Sequence, residues 1–129
     1  MKYRVHPEKV AVCQLPPGSR LPEWALESAF FCVTQTAEEL SIVCEERLVP
    51  VGVRVERDWV ALKLEGPFPF AMTGVLTSFL QPLAEAGIPI FVVSTFDTDY
   101  VLMKRDKLEP AMKALDAAGH EMVGSSDRA

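Results

Sequence analysis

Histidine, cysteine and long apolar runs are all scarce in this sequence of 129 residues. The two histidines, His6 and His120, have no nucleophile set beside them, so neither a Ser-His nor a Cys-His catalytic arrangement is expected. The three cysteines, Cys13, Cys32 and Cys44, are odd in number and widely spaced. That pattern is neither a disulfide framework nor a Cys-x-x-Cys metal motif; it reads as small buried hydrophobes in a reduced protein. No apolar run approaches the ~20 residues of a membrane span, and the stretch from Met1 to His6 lacks the apolar core of a signal peptide. Positive charge is also short: 13 Lys and Arg stand against 18 Asp and Glu, a net charge of −5. Nucleic acid and anionic membrane both reward clustered cations, so neither is expected as a partner. The expectation is a cytoplasmic protein that is not an enzyme and holds no cofactor or metal; a small enzyme is kept as a third reading, since fold does not fix function.

What is present is ordinary globular material, 49% hydrophobic and 24% charged. A chain of this length makes one compact domain or two very small ones sharing a core. The most informative stretch runs from Met72 to Met103. Thr73 stands where an N-cap belongs, with Gly74 just inside the helix. Leu76, Phe79, Leu80 and Leu83 then fall on one face at helical spacing. Pro82 lies inside this helix; it removes a hydrogen bond and predicts a kink near Ser78. Gly87 ends the helix, Ile88 to Val93 is an apolar run of strand length, and Asp97-Thr98-Asp99 turns the chain back as a hairpin.

Upstream, Lys9 to Leu15, Phe30 to Thr34, Leu40 to Cys44 and Trp59 to Leu64 read as strands, and Pro22 to Leu26 as one helical turn at most. Thr36-Ala37-Glu38-Glu39 mimics a capping box, but the β-branched run after it predicts a strand instead. Glu45 to Asp58 is ambiguous, since Pro50 and Gly52 interrupt the alternation of Val51, Val53 and Val55. Downstream, Asp106 with Glu109 three residues on caps a last helix whose inner stripe is Leu108, Ala111, Met112 and Leu115. Gly119 ends it, His120 to Met122 adds a short edge strand, and Gly124 to Ala129 forms a frayed tail.

The two halves resemble one another. A shift of 60 residues lays Phe31, Val33 and Thr34 on Phe91, Val93 and Ser94, Glu39 on Asp99, Leu48 on Leu108 and Pro50 on Pro110. Farther back a shift of 50 lays Val10-Ala11-Val12 on Val60-Ala61-Leu62. The pattern predicts an α+β chain of two ferredoxin-like βαββαβ units in tandem, with antiparallel sheets and helices on one face. The first unit, residues 1–57, has its first helix reduced to a turn around Trp24. The second, residues 58–123, is complete, and residues 124–129 form a flexible tail.

Gly74-Val75-Leu76 leading to Pro82-Leu83-Ala84-Glu85-Ala86-Gly87-Ile88, then Ser94-Thr95-Phe96-Asp97-Thr98-Asp99-Tyr100-Val101-Leu102, resembles ACT domains, small regulatory modules that bind amino acids. The branch it is most similar to is the tandem ACT type of aspartate kinases and cytosolic arginine sensors (CASTOR proteins), with Glu39 to Val43 as the comparable strand of the first half. The resemblance implies a non-catalytic allosteric sensor that binds a free amino acid at the interface of its two units, and a homodimer. It implies a site made of Thr73, Gly74, Val75, Thr95, Phe96 and Asp99, closed by Ser41 and Ile42 from the first half. No kinase catalytic domain is expected, and the shortened first unit suggests one pocket per chain.

The chemistry of those residues suits such a ligand. A helix start presents unpaired N–H groups and a positive dipole end to a carboxylate. A glycine there lets the ligand approach the backbone, and Asp99 can accept hydrogen bonds from an ammonium group. Thr95 and Phe96 offer a hydroxyl or backbone contact and an apolar wall. Without the resemblance the same residues read more plainly: Thr73 as a cap, Gly74 as a tolerated glycine, Asp97-Thr98-Asp99 as a hairpin turn and Phe96 as a packing aromatic. The competing functional reading is accordingly a structural or dimerisation module of the same fold that binds no small ligand.

Overall fold

The computed structural model describes residues 1–66 and 74–125, the side chain of the last of these excepted. In chain order the elements are β1 (Lys2–Val5), β2 (Val10–Leu15), α1 (Glu23–Leu26), β3 (Cys32–Gln35), β4 (Leu40–Glu45), β5 (Arg54–Leu64), α2 (Val75–Glu85), β6 (Phe91–Ser94), β7 (Asp99–Lys104), α3 (Leu108–Ala117) and β8 (Glu121–Ser125). Short 3-10 turns at Glu46–Leu48 and Arg105–Lys107 follow β4 and β7. These elements form two units, one of them interrupting the other. Residues Glu8–Trp59 make an inserted unit; Met1–Pro7 and the chain from Val60 onward make a split unit. The first seven residues therefore belong with the second half, not with a first unit of 1–57 as the sequence suggested. The reason is pairing: Tyr3, Arg4 and Val5 of β1 lie antiparallel to Leu64, Lys63 and Leu62, and β1 also runs parallel to β8.

In the split unit the strand order is β6-β7-β5-β1-β8, with β6 and β7 an antiparallel hairpin. α2 and α3 pack together against this sheet. Tyr3, Leu62, Leu64, Phe79, Leu83, Val101, Met103, Ala111 and Leu115 form the core, each at most 2% exposed. The apolar spacing of α2 explains its burial, since Phe79 and Leu83 lie one turn apart. Both helices end in the same way. Gly87 and Gly119 have φ of 73° and 92°, and the N–H groups of Ile88 and His120 reach back to the carbonyls of Leu83 and Leu115. β8 runs to Ser125, so two residues assigned to a tail are strand; residues 126–129 lie outside the described part.

α2 continues through Pro82, and one contact explains how. Proline lacks the N–H that would bond the Ser78 carbonyl, and its ring pushes that carbonyl aside. His120 Nε2 lies 3.0 Å from Ser78 O. A carbonyl can only accept, so Nε2 carries the proton and replaces the missing donor. The His120 ring also meets the edge of Phe79, whose ring in turn meets Tyr3, at centroid distances of 5.2 and 5.5 Å. One core cluster thus contains the remedy for the proline.

The inserted unit has strand order β3-β4-β2-β5, all antiparallel, using the Arg54–Trp59 part of β5. It is poorer in helix than expected. α1 is a single turn, as the sequence indicated, but the second helix is also missing and only the 3-10 turn Glu46–Leu48 stands in its place. Ala11, Cys13, Ala25, Leu40, Ile42, Cys44 and Val49 form its core. The loop after α1 is tied down by Glu45, which is 3% exposed. Its carboxylate accepts from the Ala29 N–H at 2.8 Å and from Arg47, while its own N–H donates to Ser28 Oγ.

The correspondence between halves is real in outline but off by one residue. Cys32 corresponds to Phe91, Leu40 to Asp99 and Glu46 to Arg105, a shift of 59. In strands a slip of one residue exchanges the two faces, so Glu39 answers to Thr98 and not to Asp99. The turns agree at this shift: Thr36 Oγ1 accepts from the Glu39 N–H, and Thr95 Oγ1 from the Thr98 N–H, at 3.2 and 3.1 Å. Thr36-Ala37-Glu38-Glu39 is thus a turn, and its resemblance to a helix cap reflects this hydroxyl contact.

Candidate functional site at the start of helix α2

In the split unit the end of β5 lies beside the β6–β7 turn. β5 ends at Leu64 and α2 begins at Val75. β6 ends at Ser94, and the tight turn Thr95-Phe96-Asp97-Thr98 leads into β7. The buried Thr98 side chain joins the end of β5 to the β6–β7 turn, donating from Oγ1 to the Leu64 carbonyl at 2.7 Å. The end of β5, which leads to α2, is thereby held beside the β6–β7 turn. The turn is rigid for its size. Thr95 N–H donates to Thr98 O at 2.8 Å, and the Thr95 hydroxyl contacts both polar atoms of the Thr98 backbone.

Gly74 is the N-cap residue itself, not the first residue inside the helix. Its φ is 79°, a left-handed value that favours glycine, and no side chain caps the helix from this position. A Cβ placed on Gly74 would meet nothing within 4 Å, so the glycine is required by backbone conformation and not by crowding. The Gly74 carbonyl accepts the first helical bond, from Ser78 N–H at 3.0 Å. The N–H groups of the first turn have no partner inside the helix, as at any helix start. Val75 is half-buried and Gly74 exposed. Thr73, expected as the cap, lies outside the described residues.

Across the hairpin, Asp99 is half-buried and paired with Ser94, whose hydroxyl donates to Asp99 Oδ1. The second carboxylate oxygen leaves accepting capacity for a cation. Thr95 is exposed, and Phe96 at the turn tip is 80% exposed. Phe96 is thus displayed rather than packed into the core. Ser94 and Thr98 were missed at the sequence level. The signal lay in the turn length, because residues flanking a four-residue turn face each other across the two strands.

Ser41 and Ile42 belong to the inserted unit. Ser41 is half-buried on β4, opposite Gln14 and Thr34. Ile42 is 0% exposed and sits in that unit's core; the resemblance implied both residues for the site, but neighbours along a strand face opposite sides of the sheet, and Ile42 has the buried one. Among the described residues no group of three or more His, Cys, Asp and Glu could hold a metal ion. No helix among them is long and apolar enough to cross a membrane.

Comparison with known proteins agrees with this architecture. The ACT domain family matches residues 54–117, and a separate N-terminal domain family matches residues 8–51. Among curated relatives, the Homo sapiens protein CASTOR3P is 33% identical over 91 residues, 60% of this chain and 56% of that protein. The Bos taurus cytosolic arginine sensor for mTORC1 subunit 1 is 27% identical over 97 residues, 67% of this chain and 30% of that protein. The chain therefore spans only 56% and 30% of these relatives' lengths. Among solved structures, protein Atu0741 from Agrobacterium tumefaciens is 37% identical with a TM-score of 0.91, covering 99% of this chain and 96% of that one. The ligand-free regulatory subunit of aspartate kinase from Thermus thermophilus shares the fold at 14% identity and a TM-score of 0.61, covering 87% and 93%. With a split βαββαβ unit around an inserted, helix-poor copy of itself, and with these relatives, the chain belongs to the ACT domain family.

Proposed function

We propose that the chain is a non-catalytic regulatory module that binds a free amino acid at the α2 end of its split unit. In this reading the first N–H groups of α2, beside Gly74 and Val75, receive the ligand carboxylate. Asp99 accepts from the ammonium group in a charge-assisted hydrogen bond. Thr95 supplies a further polar contact and Phe96 an apolar wall. The observation that carries the reading is the Thr98–Leu64 hydrogen bond, which ties the end of β5 to the turn that leads into Asp99. A relative named as an arginine sensor supports the ligand class. The protein is further read as cytoplasmic and homodimeric; β6 and β8 are the edge strands of the split unit's sheet, and an edge can accept a neighbour.

A thermal-shift screen of the proteinogenic amino acids tests the function. A ligand that binds only the native state adds about 2.7 kcal/mol at a hundredfold excess over Kd. One or a few amino acids are expected to raise Tm, and Asp99→Ala is expected to abolish the rise while preserving the fold. No shift with any amino acid would favour the ligand-free dimerisation module. A shift that survives Asp99→Ala would move the site elsewhere and leave the function standing.

A further inference from the structure

The same hairpin turn occurs once in each unit, and the two copies differ in the residues that flank it. In the inserted unit the Thr36 N–H donates to Glu39 O at 2.9 Å, and the Thr36 hydroxyl accepts from the Glu39 N–H. Thr95 and Thr98 repeat both contacts in the split unit. The first turn is flanked by Gln35 and Leu40, paired across β3 and β4. The second is flanked by Ser94 and Asp99, paired across β6 and β7. Gln35 is exposed, and Leu40 is 2% exposed in the core of its unit. The turn therefore forms without a hydroxyl or a carboxylate beside it. The threonines account for its shape, and the Ser94–Asp99 pair is an addition to it.

Strand alternation says where the pair points. Ser94 shares its face of the sheet with Val92, and Asp99 shares its face with Val101. Both valines belong to the core cluster that includes Phe79 and Leu83 of α2 and Leu115 of α3. Ser94 and Asp99 thus stand on the helix-bearing face, one step beyond that core. Asp99 takes the position that a buried leucine takes in the inserted unit. A half-buried carboxylate there gives up part of its hydration and gains from a donor in exchange. The Ser94 hydroxyl donates to Oδ1, and among the described residues no donor reaches Oδ2.

We infer that Ser94 positions the Asp99 carboxylate for the ammonium group of a bound amino acid, an inference that rests on the binding mode proposed above. The last torsion of an aspartate is broad and two-fold, so an unheld carboxylate presents its oxygens over a wide arc. The serine bond fixes that torsion by holding one oxygen and turning the other outward. An ionised carboxylate only accepts, so the serine hydroxyl and the ligand ammonium are complementary donors, one to each oxygen. The arrangement also selects. A ligand without an amino group leaves Oδ2 unsatisfied in a half-buried place, and that omission weakens its binding. Ser94 needs no contact with the ligand to have this effect.

The test is calorimetric titration of the intact chain with each proteinogenic amino acid, followed by the amino acids that bind against Ser94→Val and Ser94→Thr. The two variants share a β-branched shape, and only threonine keeps the hydroxyl. Ser94→Val should weaken binding by roughly tenfold, the scale on which losing an orienting partner weakens a metal site. Ser94→Thr should retain wild-type affinity, and the two variants should melt alike without ligand. If Ser94→Val fails to fold by circular dichroism, Ser94→Ala takes its place in the comparison. Equal affinity in both variants, with Asp99→Ala abolishing binding, would overturn the inference and leave the amino-acid reading standing. A loss shared by Ser94→Thr, or one matched by a lower ligand-free Tm of Ser94→Val alone, would make Ser94 structural and overturn it too. Binding that survives Asp99→Ala would remove the site together with the inference. Absence of binding by every amino acid would remove the reading on which both rest.

Discussion

The contact between His120 and Ser78 makes a quantitative claim about how a proline is carried inside α2. Pro82 deprives the Ser78 carbonyl of its helical donor, and His120 Nε2 supplies one at 3.0 Å. A neutral hydrogen bond of this kind contributes about 1 kcal/mol net. The edge-on contact of the ring with Phe79 adds roughly 0.5–1.5 kcal/mol. His120→Ala should therefore destabilise the protein by about 2–3 kcal/mol, including the lost burial of a side chain in a residue 8% exposed. Pro82→Ala restores an N–H to the Ser78 carbonyl and should be neutral or stabilising. In that background His120→Ala forfeits packing but no longer strands the carbonyl, so its cost should fall by about 1 kcal/mol. Urea denaturation of the wild type, both single variants and the double variant closes the cycle. A coupling of about 1 kcal/mol is the expected result. Additivity within about 0.3 kcal/mol would refute the compensation and leave His120 as packing alone.

Other consequences are open to direct measurement. Asp58 takes a φ of 71° inside β5, a conformation costly for branched side chains. Asp58→Val should cost about 1–2 kcal/mol in denaturation, whereas Asp58→Gly should stay within about 0.5 kcal/mol of wild type despite losing a surface contact with Lys9. Burial first, and the nearby Asp116 second, raise the pKa of Tyr3 above 10.0. A phenol whose folded pKa is raised stabilises the protein fully below the unfolded value near 10 and loses that contribution as pH climbs through the folded one. Tm should accordingly fall across about pH 9 to 11 more steeply for the wild type than for Tyr3→Phe. Glu45→Ala removes the acceptor of the Ala29 N–H and the partner of Arg47. It should cost about 1–3 kcal/mol and expose residues 27–31 to limited proteolysis.

Much of the architecture was legible because apolar periodicity and glycine stops act locally. Leu76, Phe79, Leu80 and Leu83 specified α2, and Gly87 and Gly119 its end and that of α3. Long-range pairing was not legible. Nothing near Tyr3 announces that it will lie against Leu64 across 61 residues, since β1 is only four residues long and carries two charges. The shift between halves was misjudged because Phe31 on Phe91 is a tempting match, whereas the true match puts Thr36 on Thr95 and rests on turn hydroxyls. The missing second helix of the inserted unit was hidden in the ambiguous stretch from Glu45 to Asp58. Of the proposed site, the glycine and the acidic turn were visible as unusual residues. The contact of Thr98 with Leu64 joins residues 34 apart, and the burial of Ile42 depends on which face of β4 meets the core; neither is a property of local sequence.

The insertion of one unit inside the other also bears on the order in which the chain can acquire its shape. As the protein is synthesised, β1 emerges first, yet its partners β5 and β8 arrive only after Glu8–Trp59 has been made. Holding β1 against β5 by closing an unstructured loop of that size would cost about 3.5 kcal/mol from the length dependence alone. The inserted unit removes most of that cost once it folds, because Val10 pairs with Trp59 and brings its two ends side by side. Its folding would therefore act as a template, delivering β1 and the second half of β5 to each other before α2 exists. On this view the helix-poor copy contributes to the assembly of the other unit whether or not it binds anything.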